Sequence, residues 1–319
     1  MLKLRSLLVA FLAFMLTVQP AFAWSEGGHN LIAILAYDLI RPSEQKRLIE
    51  LLEKHPRFME DFQPKSKLSD ATALAHWNIG RAGYWPDIAR DQPAFNRPNW
   101  HYQLGATLTL GDNVKVHETP GPLPAGATLG TKDLHIAQAI ELCRQTLRGS
   151  GPDSDKAIAI CWLAHLVADS HQPCHAGSLY ADGIFPEGDR GANSIPTKQG
   201  RNLHALWDGL LGGRYNAGDI ARRAREVKTD ETSWKAAEAA GMTLEPLEWL
   251  SESAEFGKSH VYTPEVLSAV EAAQRSGAEK VEVVDLPETY LKAAGALAQK
   301  RAAFAAWRLA AVLSEDLKP

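Results

Sequence analysis

His165-Leu-Val-Ala-Asp169-Ser-His171-Gln-Pro-Cys174-His175 closes a helical run that reads from Asp155 to Ser170, and His204-Ala-Leu-Trp-Asp208 repeats its key spacing. On a helix, residues four apart lie on one face about a turn apart, so each His-x-x-x-Asp pair aims an imidazole and a carboxylate at a common point. Neutral imidazole and carboxylate are zinc ligands, and several such pairs point to a site with more than one ion. One pair alone would fit a solvated helix face. Two pairs and His175, in a chain with only 11 His, favour the metal.

Helical periodicity continues on both sides of this cluster. Further helices are read over Gly28 to Leu39, Pro42 to Lys54, Lys132 to Leu147, Leu203 to Leu211 and the Ala-rich stretch Pro287 to Leu317. Strand-like alternation is scarce; Lys115 to His117 and Asn193 to Thr197 are the best candidates. Gly105 to Gly130 reads as a long surface loop, and Leu179 to Arg201 carries turn chemistry at Asp182-Gly183, Pro186-Glu187-Gly188 and Gly191-Ala192-Asn193. Candidate ligands stand on both sides of each segment, so neither separates domains. The expected fold is mainly α, a single domain with at most a small β-hairpin.

Residues 1–23 carry Lys3 and Arg5, an apolar run from Leu7 to Val18, and Ala21-Phe22-Ala23. This is the pattern of a secretory signal peptide with a small-x-small cleavage site; an uncleaved anchor helix is the alternative. The apolar run is short for a membrane span. Cleavage would leave residues 24–319 as a soluble chain outside the cytoplasm, secreted or periplasmic, without a membrane anchor. The full sequence has a net charge of −4, and loss of Lys3 and Arg5 makes the remainder more acidic. Such a chain is no electrostatic trap for nucleic acid, so a bound polyanion must be held by local charge.

Cys143, Cys161 and Cys174 are too few for a disulfide framework. Cys143 and Cys161 could pair or remain buried thiols, and Cys174 reads as packing. No Asn-x-Ser/Thr acceptor is present, nor a Gly-x-Ser-x-Gly nucleophile motif. Outside the central cluster, His29, Asp87 and His101 are further candidate ligands, although each alone would pass for a surface or core residue. His171 falls off the ligand face and takes a supporting or structural role, while His55, His76, His117, His135 and His260 have no comparable partners.

Six ordered motifs carry a resemblance over nearly the whole chain after residue 23. They are Trp-x-x-x-Gly-His from Trp24 to His29, Trp-x-Asp-x-x-Arg from Trp85 to Arg90, His101-Tyr102, the central run from His165 to His175, Asn-Leu-His-x-x-Trp-Asp from Asn202 to Asp208, and Arg308-Leu-Ala310. Together they resemble the zinc-dependent type I nucleases, which include fungal single-strand-specific nucleases, plant bifunctional nucleases and 3′-nucleotidases, with zinc-dependent phospholipases C as distant relatives. The resemblance implies a helical phospholipase C/nuclease-like fold with a cleft for three Zn2+. It implies that Asp87, His101, His165 and Asp169 hold one ion. Asp169 would bridge to a second ion, bound also by His29 and by the α-amine and carbonyl oxygen of Trp24. His175, His204 and Asp208 would hold the third. The Trp24 amine exists only after cleavage behind Ala23.

The same resemblance implies phosphodiester hydrolysis on single-stranded DNA, RNA or nucleotides, giving 5′-phosphate products, with no obligate protein partner. Asp87, Asp169 and Arg90 are the expected catalytic residues, Arg90 as the phosphate contact. Tyr102 is expected to stack on a base and Asn193 to contact a base edge. Two positions depart from the family pattern: the Gly-Gly-Asn turn reads Gly191-Ala192-Asn193, and Leu104 stands where an acidic residue is common. Base preference therefore does not transfer. Phospholipase C chemistry is the rival, disfavoured by Asp208, Gly27 and Ile88 where the lipases carry Glu, an acidic residue and an aromatic. A zinc-storage protein would explain the ligands but not Arg90, Tyr102 and Asn193.

Overall fold

The computed structural model describes residues 24–66, 68 and 70–318; the expected signal segment at residues 1–23 lies outside them. Twelve α-helices form the described chain: α1 Glu26–Leu39, α2 Pro42–Leu52, α3 Phe58–Asp61, α4 Ala71–Ile88, α5 Ile136–Arg148, α6 Asp153–Asp169, α7 Leu203–Gly209, α8 Ala217–Thr229, α9 Glu231–Ala240, α10 Pro246–Phe256, α11 Pro264–Ser276 and α12 Glu288–Asp316. The mainly α expectation holds. Each predicted helix is present, with ends shifted by a few residues.

The centre is built by two helices that are apolar on every side. α6 buries a continuous run from Ala159 to Asp169, and α1 buries one from Gly27 to Tyr37. A helix without a polar face must be enclosed by neighbours. Accordingly α1 packs between α4 and α12, while α6 packs against α4, α5, α2 and α12. Each fully buried Leu or Ile on these helices contributes about 1.5–3 kcal/mol. Alanines 298, 302, 303, 306 and 310 of α12 are buried, and their small side chains let its axis come close to α1. Gly83 on α4 serves the same end: a Cβ there would meet the Ala33 Cβ at 3.0 Å and the His29 carbonyl oxygen at 3.1 Å.

Helix ends are set by local chemistry. The side chains of Asp70, Asn202, Asn216 and Asp230 accept from backbone N–H groups of α4, α7, α8 and α9, as N-caps do. Pro86 sits in the last turn of α4, where it can give no N–H and the helix stops at Ile88. That stop leaves Asp87 at the helix end. A second apolar cluster, with Leu179, Phe185, Ile195, Leu203, Trp207, Val261, Val266 and Tyr290, is separate from the one around α1 and α6.

The β component differs from expectation. Lys115 to His117 and Asn193 to Thr197 are not strands, although Thr197 makes an isolated bridge to Val284. Instead β1 (Ala106–Leu110) and β2 (Ser178–Ala181) pair in parallel, with an irregularity between Ala106 and Leu108. A parallel pair needs a long crossover, and α5 and α6 lie in it, so no hairpin was available. The loop read from Gly105 thus begins with a strand.

Cys143, Cys161 and Cys174 are free and buried, in keeping with the thiol alternative. Among the described residues no helix is long and apolar enough to cross a membrane.

His55 is one of the histidines without an evident partner in sequence, and it is buried. Its ring stands edge-on to Trp85 at 4.4 Å, and its Nδ1 accepts from the Arg57 N–H at 3.1 Å. Burial pushes its pKa down to about 4, with Arg57 adding to the effect and Asp61 opposing it. The unfolded chain takes up a proton near the ordinary 6.5, so between pH 6.5 and 4 it binds more protons than the folded one. Stability is then lost as pH falls through that window, by about 3 kcal/mol from this residue. His55→Asn, whose amide oxygen can still accept from Arg57, should flatten the curve of unfolding free energy against pH between 4 and 6.5. An unchanged difference between variant and wild type across that range would contradict the assignment.

Candidate metal centre

Four helices and two short turns deliver the candidate ligands. His29 comes from α1 and Asp87 from the end of α4; His165 and Asp169 stand one turn apart on α6, and His204 and Asp208 on α7. His101 and His175 end two 3-10 turns, Pro98–His101 and Pro173–His175, each opened by a proline. All eight are buried. The i, i+4 spacing brings His165 to Asp169 and His204 to Asp208, as read from sequence.

They form three groups, each with ligand atoms close enough to hold a metal ion: His29, His165 and Asp169; Asp87, His101 and His165; and His175, His204 and Asp208. The two oxygens of Asp169 face different partners. Oδ2 lies 3.2 Å from both His101 Nδ1 and His165 Nε2, which are themselves 2.9 Å apart. Oδ1 lies 3.4 Å from His29 Nε2. His204 Nε2 and Asp208 Oδ2 are 3.5 Å apart.

Backbone carbonyls fix which imidazole nitrogen faces inward. His165 Nδ1–H donates to the Gly83 carbonyl at 2.8 Å, His204 Nδ1–H to Gly191 at 2.5 Å, and His175 Nδ1–H to His101. With the proton held on Nδ1, each Nε2 offers a lone pair to its group, the arrangement that supports a metal-bound histidine. Gln172 performs the same service for Asp208, its amide donating to Oδ1 at 2.7 Å, while its carbonyl oxygen accepts from the Cys174 N–H. Gln172 lies within the central motif, where its spacing marks no role.

Several buried atoms of these residues lack any hydrogen-bond partner: both ring nitrogens of His29, Nε2 of His101 and His175, Oδ2 of Asp87 and Oδ1 of Asp169. Buried polar atoms are rarely left so, and clustered lone pairs without donors are what a cation resolves. The donor set fits zinc. Burial holds the His29, His101 and His175 imidazoles well below their ordinary pKa, with neighbouring His and Arg90 adding to it. Burial pushes the Asp169 carboxyl up to about 6, against the pull of His165, and Asp208 is also raised.

A family model described as S1/P1 nuclease matches residues 24–318. The chain belongs to the S1/P1 nuclease family. Two curated relatives are similar to it: Endonuclease 3 of Arabidopsis thaliana is 22% identical over 283 residues, covering 82% of this chain and 82% of the relative. Endonuclease 4 of the same plant is 23% identical over 224 residues, covering 66% of this chain and 62% of the relative. The protein is thus a nuclease, and the phospholipase alternative loses its footing.

In this nuclease Trp24 is fully buried, and its indole N–H donates to the Ala168 carbonyl at 3.0 Å, next to Asp169. Ser25 N–H and hydroxyl both bond the Asp208 carbonyl, at 2.9 and 3.0 Å. The segment around Trp24 is therefore locked against both His-x-x-x-Asp helices. His171 stays outside the three groups; its Nδ1–H donates to Val167 and its Nε2 lies 2.9 Å from the Arg308 guanidinium, in line with the supporting role expected for it.

Two of the groups, one through His101 and one through His175 and His204, open on a cleft of about 410 Å³. Arg90, Tyr102 and Asn193 line it, together with His101, His175 and His204. Arg90 is held by Asp87, Nε and Nη2 reaching Oδ1 at 2.7 and 2.6 Å. Tyr102 is 37% exposed, braced edge-on by His135 and by a hydroxyl bond to Asn99 at 3.1 Å. Asn193 bonds the Arg190 carbonyl through Nδ2 and accepts from Asn202. His135 and His117 depart from the ordinary role expected of them: one braces Tyr102, and the other lines the cleft. No sequence signal marked either: His135 caps the start of α5 and His117 lies in a loop, and at neither place does a helical or strand period aim the side chain.

The departure at Ala192 has a structural cost. Arg190, Gly191 and Ala192 have φ of 63°, 60° and 66°, a left-handed run. Only glycine takes that region freely, and each other residue costs about 1–2 kcal/mol. A glycine at position 192 would avoid that cost.

Proposed function

We propose that this chain is an exported, zinc-dependent endonuclease that hydrolyses single-stranded DNA and RNA to 5′-phosphate products and also acts on 3′-nucleotides. Residues 24–319 would be its single domain, acting outside the cytoplasm after removal of residues 1–23. The observation that carries this reading is the set of three His/Asp groups, two of them sharing His165 and both reached by Asp169, beside one cleft that also presents Arg90, Tyr102 and Asn193.

Three ions suit the donor set. Asp87, His101, His165 and Asp169 would hold one; Asp169, His29 and the Trp24 amine and carbonyl a second; His175, His204 and Asp208 the third. Bound zinc would supply an acidified water, its pKa lowered to about 7, and Lewis-acid stabilisation of the phosphoryl and leaving oxygens.

The protein's own groups bind and orient. Arg90 brings a fixed positive charge to the cleft, where it can neutralise a phosphoryl oxygen as negative charge builds up. Asp87 holds that guanidinium in place. Tyr102 offers an exposed face on which an unstacked base can lie. Asn193 keeps a second amide N–H and a lone pair for a base edge. A duplex base cannot reach Tyr102 without leaving its stack, which favours single strands.

The test is incubation of the purified protein beginning at Trp24 with single-stranded DNA, RNA, 3′-nucleotides and phosphatidylcholine, with and without EDTA. EDTA-sensitive release of 5′-nucleotides is expected. Cleavage of lipid alone, or inertness toward every substrate, would overturn the reading.

A further inference from the structure

One cation on the rim of the cleft is not used by the ligand scaffold. Arg190 is exposed and lines the cleft beside Tyr102, His175, Asn193 and His204. Arg90, the other arginine there, is tied to Asp87. Among the described residues the Arg190 guanidinium has no ion pair or hydrogen bond.

The backbone holds Arg190 where an L-residue rarely goes, and the surrounding bonds explain how. The buried Asp189 carboxylate accepts from the Leu179 N–H at 3.0 Å and the Tyr262 hydroxyl at 2.9 Å. Gly191 N–H donates to the Ser178 hydroxyl at 2.9 Å, and the Arg190 carbonyl accepts from Asn193 Nδ2 at 2.9 Å. Strained residues persist where the surroundings over-determine them, commonly at functional sites. The turn is anchored to β2 on one side and, through Gly191, to His204 on the other. Arg190 also acts on Tyr102 across the opening: burial pushes the tyrosine hydroxyl up, and the Arg190 charge pulls it back.

A planar guanidinium matches phosphate oxygens, with two N–H groups donating in parallel. In a chain of net charge −4, attraction to a polyanion depends on such local cations. With a base on Tyr102 and the scissile phosphate at Arg90, the phosphate flanking that nucleotide comes to the rim. We infer that Arg190 binds the phosphate next to the scissile one and gives the cleft its preference for polynucleotides over mononucleotides. The inference rests on the nuclease reading.

The test uses the zinc-loaded protein, wild type and three variants, with oligothymidylate over a range of salt concentrations. Equilibrium binding and steady-state kinetics are both read. R190A keeps the left-handed strain and loses the charge; R190G loses both; R190K keeps a charge without the fork. R190A and R190G should raise KM and Kd alike, by about tenfold at moderate salt, and lower the slope of log Kd against log salt by about 0.7, the loss of one single-strand phosphate contact. R190K should restore the slope. Unchanged kcat and zinc content are expected throughout. An unchanged slope in R190A would overturn the assignment, as would wild-type affinity in R190G, which also lacks the charge. Wild-type protein that neither binds nor cleaves the oligonucleotide would overturn the nuclease reading, and the Arg190 role with it.

Discussion

Asp169→Ala should lose about a thousandfold or more of kcat/KM, about 4 kcal/mol of transition-state stabilisation, and should bind less zinc than wild type. The size follows from its geometry. One carboxylate sends Oδ2 toward His101 and His165 and Oδ1 toward His29, so a single truncation removes a ligand atom from two groups at once. Loss of Arg90 would leave every ligand in place. The variant should still fold. Burial holds the Asp169 carboxyl at a pKa of about 6, above the ordinary 3.8. The folded state thus binds the proton more tightly than the unfolded one, and above about pH 6 the buried charge costs stability in zinc-free protein. Zinc-free Asp169→Ala should therefore unfold no earlier than zinc-free wild type at neutral pH. The measurements are zinc stoichiometry by mass spectrometry of the native protein, kcat/KM, and thermal unfolding in EDTA. Full zinc content with full activity would sink the shared-carboxylate model.

The second large effect lies behind the site. Arg301 and Arg308, on α12, are both 1% exposed, and both bond the Glu252 carboxylate of α10 at 2.6–3.0 Å. Arg301 also donates to the Ser253 hydroxyl at 2.9 Å and to the His171 carbonyl, and Ser253 donates to the Ser170 carbonyl at 2.6 Å. The end of α6, which carries Asp169, is thereby tied to α10 and α12. Removing one partner of a buried pair leaves an uncompensated charge, which costs about 3–5 kcal/mol. Here the deficit concerns two guanidiniums, while partial exposure of Glu252 lets some water relieve them. Glu252→Ala should cost about 3 kcal/mol, a fall in Tm of roughly 6–10 °C. Arg308→Met, which removes charge together with need, should cost less. Calorimetric scans of the two variants decide the order; a Glu252→Ala Tm within a degree of wild type would show that the cluster contributes little.

The candidate site was unusually legible because its chemistry is local in sequence. His165 with Asp169 and His204 with Asp208 are fixed by helix periodicity alone. The lone ligands His29, Asp87 and His101 were reachable only through ordered motifs, since nothing in an isolated histidine distinguishes a ligand from a core residue. The roles of four residues were not legible: Gln172 supports Asp208, His135 braces Tyr102, and Arg190 and His117 line the cleft. Each stands in a turn, a loop or a helix cap, where no period aims a side chain. β1 and β2 were missed for a related reason: strands of five and four residues gain their hydrogen bonds from a partner far along the chain. The sequence pattern that seemed strand-like at residues 193–197 belongs to a turn instead.

The sequence by itself determined the mainly α class, the helices, the ligand types and the fact that they outnumber what one ion needs. Those properties depend on spacing within single elements. Only the tertiary structure decided that Asp169 turns its two oxygens to different groups, that the Gly83, His101 and Gly191 carbonyls set the imidazole protons, and that Arg190 stands at the mouth. Each of these is a distance between segments far apart in the chain, and such distances are fixed by packing around α1 and α6. The opening run from His165 to His175 named the ligands, and the packing aimed them.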